Sequence, residues 1–217
     1  MKRTMGIVEV VFDMFYLIAG TTIGLLLLVN PGRDQAARTF AGIMALLLVG
    51  GDSFHLVPRI RMSLAGDGTS LRTTLGRGKQ ITSITMTVFY LFLWHIGSRE
   101  YQPENGRFWT ISIYILATIR TFLCLLPQNK WTDRHPPLSW AIWRNIPFIV
   151  QGMMVALLFV FGRNASPGLE NMYLAIILSF ACYVPVVVWS NTHPKIGMLM
   201  LPKTCAYLWM LCMCLSL

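Results

Sequence analysis

The sequence predicts an all-α integral membrane protein, a bundle of seven transmembrane helices. Its 217 residues are 55% hydrophobic and only 12% charged, and its mean hydropathy is +0.57. Soluble domains carry about 25% charged residues, so this chain has roughly half the usual charge. The hydrophobic residues also form long blocks, each of which can cross a hydrocarbon core about 30 Å thick as a helix. Membrane insertion explains both observations.

Seven blocks are long enough, and segments rich in Pro, Gly and Asn separate them, as expected for turns. The predicted spans are residues 7–29, 37–60, 81–97, 108–126, 146–162, 172–189 and 197–217. Two longer basic connectors cover residues 61–80 and 127–145, and the second holds three Trp, a residue enriched at membrane surfaces. We therefore expect one transmembrane domain over residues 1–217, in a multi-pass protein of the cell membrane.

Lys and Arg lie mainly on the side of the membrane that holds the N-terminus, here called the N side. Eleven of them lie on this side and five on the opposite, or C, side. The positive-inside rule then predicts a cytoplasmic N-terminus and an outside C-terminus. The net charge of +9 is mainly a topology signal, which also attracts anionic lipid headgroups. Because the sequence has no compact basic domain, we expect no nucleic-acid partner.

Ionisable residues inside the spans are costly in lipid, and they usually face the bundle interior. Glu9 and Asp13 are four residues apart, on one face of the first span. In the stretch GGDSFHLVPR, which ends the second span, Asp52, His55 and Arg59 also share a face. Both sets lie toward the N side, so the sequence predicts a polar site just inside that membrane face.

A lipid-directed hydrolase is the first function that this site predicts. A catalytic carboxylate can activate water as a general base, and a metal such as zinc, held by His nitrogens, can activate water instead. The candidate catalytic residues are Asp52, Glu9 and Asp13, and the candidate metal ligands are His55, His193 and His135. The candidate substrate-binding residues are Ser53, Arg59, Arg120, Gln151, Asn191 and Lys203.

Two other functions fit the same residues. Intramembrane charges also mark the paths of transported solutes, so a small-solute or ion transporter with a charge relay is the first alternative. In the second, the charges pair internally in a non-catalytic receptor or scaffold. Membrane lipids are the expected partners in each case, and the expected substrate is a lipid or a small molecule. Gly20 and Gly24 form a small-residue face that favours helix packing, which is compatible with an oligomer.

Two families of small polytopic membrane hydrolases resemble parts of the chain. The stretch LLLVGGDSFHL is similar to the Gly-Asp motif that ends an early helix in the YhhN, or lysoplasmalogenase, family. This resemblance implies a catalytic role for Asp52. The second acidic motif of that family is Ser-Asp, and the comparable place here reads Ser190-Asn191. That family is usually described with eight spans, whereas this sequence predicts seven.

The other resemblance is to the superfamily of alkaline ceramidases and progestin/adiponectin-type receptors, which also has seven spans. Its metal ligands come from a Ser-x3-His motif in the second span and a His-x3-His motif in the seventh. Here Gly51 precedes His55 at the Ser position, and Gly197 follows His193. The resemblance implies a zinc site in which His135 replaces the missing ligand, and a ceramide-like substrate.

Overall fold

The computed structural model describes residues 2–65, 72–133, 136–190 and 192–217. Its α-helices are α1 (Lys2–Val29), α2 (Gln35–Ala65), α3 (Arg72–Tyr101), α4 (Gly106–Leu125), α5 (Leu138–Gly162), α6 (Met172–Trp189) and α7 (Met200–Met213). Short 3-10 turns cover Pro127–Asn129, Pro194–Leu199 and Cys214–Ser216. Within the described residues there is no strand, and seven helices are long and apolar enough to cross a membrane. The all-α, seven-span prediction is confirmed, whereas the orientation of the termini stays a prediction.

Four helices extend beyond the predicted spans on the N side, and α1 does so by beginning at Lys2. α2 continues to Ala65, α3 begins at Arg72, and α5 begins at Leu138. Much of the connector predicted for residues 61–80 is therefore helical. The hydrophobic pattern ends at the edge of the membrane core. The helix continues beyond that edge because its backbone packs against a neighbouring segment. Gly76 of α3 does so, since a Cβ at this position would lie 2.4 Å from the Trp131 carbonyl oxygen.

α3 lies at the centre of the bundle. It contacts α2, α4 and α5, and its Phe89 packs edge-on against Tyr207 of α7, with the ring centres 5.5 Å apart. The neighbouring pairs α1–α2, α5–α6 and α6–α7 also pack together, and α1 touches α7, which closes the bundle. Buried α3 side chains recur at helical spacing, namely Phe89, Tyr90, Leu93 and Ile96.

Aromatic rings fill the interior between α3, α5 and α6. The Tyr90 ring meets Phe148 edge-on with 5.2 Å between centres, and Phe148 meets Phe180 at 5.0 Å and Tyr183 at 5.9 Å. Lipid tails are as apolar as these side chains, so the hydrophobic effect does not hold membrane helices together. Close packing does, and aromatic pairs of this geometry each contribute about 0.5–1.5 kcal/mol.

The outer surface is apolar, as a lipid-facing surface must be. α4 separates its faces cleanly, because its inward side chains are Ile113, Ala117, Arg120 and Cys124. Its exposed large side chains are Phe108, Trp109, Ile111, Tyr114, Ile115, Ile119, Phe122 and Leu125. One charged residue, Arg120, therefore faces the bundle interior from a helix whose exposed side chains are mostly apolar.

Glycines allow α2 and α3 to approach closely. A Cβ on Gly78 of α3 would lie 2.4 Å from the carbonyl oxygen of Phe54 and 2.9 Å from the Cα of His55, both in α2. A Cβ on Gly51 of α2 would lie 2.1 Å from the Thr85 hydroxyl of α3. The polar end of α2 is thereby packed directly against α3.

We predict that Gly78→Ala lowers the free energy of unfolding by about 1–3 kcal/mol, the range for overpacking a close contact. The added methyl group meets the backbone of α2, which a rotamer change cannot relieve. Thermal unfolding in a mild detergent measures the change. The matched control is Gly50→Ala, since a Cβ there meets nothing within 4 Å. It should be neutral or stabilising by up to about 1 kcal/mol, from helix propensity. Equal losses in both variants would contradict the close α2–α3 contact.

Candidate functional site

The N side of the bundle carries a layer of charged side chains from α1 and α2. Arg59 Nη2 donates to Glu9 Oε1 in an ion pair whose side chains are 39% and 32% exposed. Asp13, one turn deeper on α1, is buried, and the charges of Arg59, Glu9 and Asp52 act on it. Three of the predicted site residues therefore lie together at the N-side entrance of the bundle.

Asp52 lies deeper and is buried between α1 and α2. Its Oδ2 accepts a hydrogen bond of 2.7 Å from the Tyr16 hydroxyl, and Tyr16 is wholly buried. This bond fixes the orientation of the carboxylate. Sequence reasoning missed Tyr16, because an aromatic residue in an apolar span is usually a packing residue. The spacing of Tyr16 in the sequence could have identified it as a site residue, because Glu9, Asp13 and Tyr16 lie on one helical face.

Thr82 of α3 links the polar end of α2 to α3. Its hydroxyl donates to the Gly51 carbonyl oxygen at 3.0 Å and lies 2.9 Å from His55 Nδ1. A hydroxyl has one proton, and Thr82 donates it to the Gly51 carbonyl oxygen. In the second bond His55 Nδ1–H is therefore the donor and the Thr82 hydroxyl oxygen is the acceptor. The other ring nitrogen, His55 Nε2, then keeps a lone pair that can accept a hydrogen bond.

Lys203 of α7 brings a buried positive charge to the site. It is 7% exposed, and its Nζ lies 4.8 Å from the ring centres of Tyr183 and Tyr207, whose faces attract an ammonium group. Its charge also acts on the Asp52 carboxylate. Lys203 and Asp52 do not form one of the ion pairs among the described residues. The Lys203 Nζ therefore lies more than 4.0 Å from the Asp52 carboxylate oxygens.

Arg120 of α4 is the most deeply buried cation among the described side chains, with 1% of its surface exposed. Its guanidinium carbon lies 3.2 Å from the ring centre of Phe148. Its Nε and Nη1 atoms are buried and have no hydrogen-bond partner in the part of the chain that the structure describes. Gln151 lies one turn beyond Phe148 on α5, and its Nε2 donates to the Thr87 carbonyl oxygen at 3.2 Å. Its Oε1 is also buried without a partner within those same segments.

The predicted substrate-binding residues Arg120, Gln151 and Lys203 thus all lie in the bundle interior. The charges of Arg120 and Lys203 act on each other, and Arg120 also acts on Tyr90. The Tyr90 hydroxyl is likewise buried without a partner in the described segments. We call Tyr90, Arg120, Gln151 and Lys203 the inner cluster.

Other predicted site residues lie elsewhere. Ser53 donates to the Gly50 carbonyl oxygen of its own helix at 2.7 Å, and the exposed His193 lies 3.0 Å from the hydroxyl of its neighbour Thr192. His135 and Asn191 lie outside the described residues. Within the described ranges no group of three or more His, Cys, Asp or Glu side chains could hold a metal ion. The zinc site stays a prediction.

A polar network that the sequence analysis missed joins the loops on the C side. Arg33 Nη2 donates to Glu100 Oε2 at 2.7 Å and to Ser166 Oγ at 2.8 Å, while Ser166 Oγ donates to the same carboxylate at 2.7 Å. Arg38 Nε and Nη1 donate to the carbonyl oxygens of Asn30 and Leu215, each at 2.9 Å. The α1–α2 loop, the end of α3, the α5–α6 loop and the C-terminus are therefore tied together.

Asp34 begins α2 on the same side. Its Oδ1 accepts hydrogen bonds from the backbone N–H groups of Ala36 at 2.9 Å and Ala37 at 3.1 Å, which caps the helix. Its Oδ2 accepts a hydrogen bond from Arg99 Nε. The Arg99 guanidinium, followed by the two backbone N–H groups, lowers the pKa of Asp34 below its ordinary value of 3.8.

A shallow groove of about 340 Å³ follows the contact between α3 and α4 on the outer surface. Its lining includes Thr87, whose carbonyl holds Gln151, and also Ala117 and Thr121, which flank Arg120 along α4. The groove and the inner cluster therefore lie on opposite sides of the same α3–α4 contact.

No protein-family model matches the sequence, and neither does any curated protein. The resemblances to the YhhN family and to the ceramidase and receptor superfamily therefore stay predictions, based on the motifs quoted above.

We predict that Asp34→Ala lowers the free energy of unfolding by about 0.5–2 kcal/mol through loss of the helix cap. Asp34→Asn should stay close to the wild type at neutral pH, because Asn caps a helix as well as Asp does and exposed ion pairs contribute little. Thermal unfolding in detergent across pH values measures both.

The two variants should differ in their pH dependence as well. The pKa of Asp34 is lowered in the folded state, so its ionised form stabilises the protein above pH 3.8, and this contribution is lost as the pH falls through the lowered pKa. Asp34→Asn should remove this part of the acid destabilisation. An unchanged acid limb in Asp34→Asn would show that Asp34 does not contribute to it.

Proposed function

We propose that the chain is a membrane-embedded hydrolase that cleaves an acyl bond of a lipid, with Asp52 as general base. The observation that carries this proposal is the buried Asp52 carboxylate, which Tyr16 orients at 2.7 Å and on which the charge of Lys203 acts. Buried ionisable groups in membrane helices are costly, so their presence favours a functional role. A lysolipid or a ceramide presents such a bond near the membrane surface.

In this mechanism Asp52 accepts a proton from water as the water oxygen attacks the acyl carbon. The carbon–oxygen double bond of the acyl group opens, and negative charge develops on its oxygen. Lys203 and Arg120 supply the positive charge that stabilises this oxyanion. When the bond to the leaving alcohol or amine breaks, the leaving group takes the proton from Asp52. The fatty acid departs, and Asp52 is ionised again.

The other two candidate carboxylates are less suited to be the base. Glu9 forms an ion pair with Arg59, which competes for its lone pairs. Asp13 is buried one helical turn from Glu9, and the positive charge of the same Arg59 acts on its carboxylate. We assign both to the entrance, where with Arg59 they orient a headgroup.

We predict that Asp52→Asn lowers kcat/KM by about 10²–10⁴-fold, the usual contribution of a general base. The amide keeps an oxygen for the Tyr16 hydrogen bond but cannot accept the proton. Mass spectrometry of released fatty acid, from lysolipids and ceramides in mixed micelles, measures the loss. Asp34→Asn, a carboxylate change on the C side, is the matched control and should retain full activity. Full turnover by Asp52→Asn would exclude Asp52 as the base.

A carrier is the second candidate, and one observation favours it. Ion pairs lie at both ends of the bundle, Glu9 with Arg59 on the N side and Arg33 with Glu100 on the C side, with buried charges between them. A carrier that opened these ends in turn would expose Lys203 and Arg120 to each side alternately. The charged side chains that fit a hydrolase would then form a solute site.

Reconstitution in liposomes separates the two functions. For the hydrolase we expect cleaved lipid in wild-type proteoliposomes, none with Asp52→Asn, and no uptake of labelled phosphate or acetate above protein-free liposomes. Uptake without cleaved lipid, abolished in Lys203→Met, would replace the hydrolase with the carrier. Neither product nor uptake across the panel of lipids and solutes would favour a non-catalytic receptor or scaffold.

A further inference from the structure

Arg120 is buried in the bundle with hydrogen bonds left unmade. It is 1% exposed, and both Nε and Nη1 lack a partner in the part of the chain that is described. Buried polar atoms are nearly always hydrogen-bonded, and a guanidinium cannot lose its charge to avoid the cost. The Phe148 ring covers one face of the guanidinium, at 3.2 Å. This contact leaves the Nε and Nη1 N–H groups, at the edge of the plane, able to bind an acceptor.

No carboxylate in the described segments balances this charge. The groups that act on Arg120 are Tyr183, Cys124 and Tyr207, none of which is acidic at neutral pH. The charges that act on Lys203 include one carboxylate, Asp52, and the like-charged Arg120. The interior around these side chains therefore carries two cations and one carboxylate, which is an excess of positive charge.

We propose that Arg120 and Lys203 form a binding site for an anionic group, a phosphate or a carboxylate, inside the bundle. The planar guanidinium matches the two oxygens of such a group, and the ammonium adds a point charge. The Tyr90 hydroxyl, buried without a partner in the described segments, is a further donor. This site does not require that Asp52 be a catalytic base, so it holds for a hydrolase, a carrier or a receptor.

The anionic group has two sources, a lipid headgroup or a free anion. The α3–α4 groove, lined by Thr87, Ala117 and Thr121, favours the lipid, since an acyl chain lying there would run along the helix that carries Arg120. A free phosphate carries the same oxygens. The experiment has to distinguish the two sources.

The test is thermal unfolding of the full chain in a neutral maltoside detergent. Sodium phosphate is titrated against sodium chloride at equal ionic strength, and phosphatidylglycerol is compared with phosphatidylcholine in mixed micelles. Binding to the native state at about 100 times Kd should raise the wild-type Tm by about 5–10 °C. A rise with phosphate and phosphatidylglycerol indicates a site open to both sources, and a rise with phosphatidylglycerol alone indicates a lipid headgroup.

Arg120→Met is the decisive variant. It should abolish the rise in Tm without lowering the Tm of the ligand-free protein, because it removes a buried charge that forms no ion pair within the described residues. Arg163→Met, in the exposed connector after α5, is the matched control and should keep the full rise. Asp52→Asn should also keep the rise while it loses hydrolysis, so failure of the proposed reaction and failure of this site are distinguishable.

Two outcomes would overturn the proposal. The first is a wild-type Tm that neither phosphate nor phosphatidylglycerol raises above its control. The second is an Arg120→Met protein with a lower ligand-free Tm and an unchanged rise, since Arg120 would then be a structural residue. If Arg120→Met does not fold, Arg120→Lys and Lys203→Gln replace it. Each should weaken binding about tenfold or more, and wild-type affinity in both would equally reject the site.

Discussion

The polar interior depends on the close backbone contact between α2 and α3. Side chains at Gly51 and Gly78 would push the two helices apart. Without them, the Thr82 hydroxyl reaches both the Gly51 carbonyl and His55, and the face of α2 that carries Asp52 is held against the bundle. Small residues replace the hydrophobic effect as the means of holding helices together in lipid. Here they also set the position of the buried carboxylate.

Charged side chains near the two membrane faces make different contacts from those in the bundle interior. Near both ends, side chains such as Glu9 with Arg59 and Arg33 with Glu100 form ion pairs that remain partly exposed. In the interior, Arg120 stacks on an aromatic ring, and its Nε and Nη1 have no hydrogen-bond partner among the described residues. Water and headgroups offset the cost of a charge near the interface but not in the core. An unmade hydrogen bond costs more in the core than near the interface, so the unmade bonds of Arg120 are the stronger indication of a bound ligand.

The sequence predicts the helices well because hydrophobic blocks of membrane length have one common structure. It also places Glu9, Asp13 and Arg59 together, since helical spacing and the side of the membrane are readable from one chain. Pairing across distant helices is not readable in this way. The bond from Tyr16 to Asp52 and the Arg33–Glu100–Ser166 network depend on how the helices rotate and pack. Residues such as Asn191 and His135 lie outside the described residues and remain predictions.

The C-side network has an electrical consequence. Its Arg residues are engaged with Glu100, Asp34 and backbone carbonyl oxygens, so that face carries nearly balanced charge. The N side carries most of the basic residues and few acidic ones, and its exposed cations include Arg61, Arg77, Lys130 and Lys195. The molecule is therefore a dipole across the membrane, positive at the N side. Such a field concentrates anions and acidic headgroups at that surface before any of them enters the bundle.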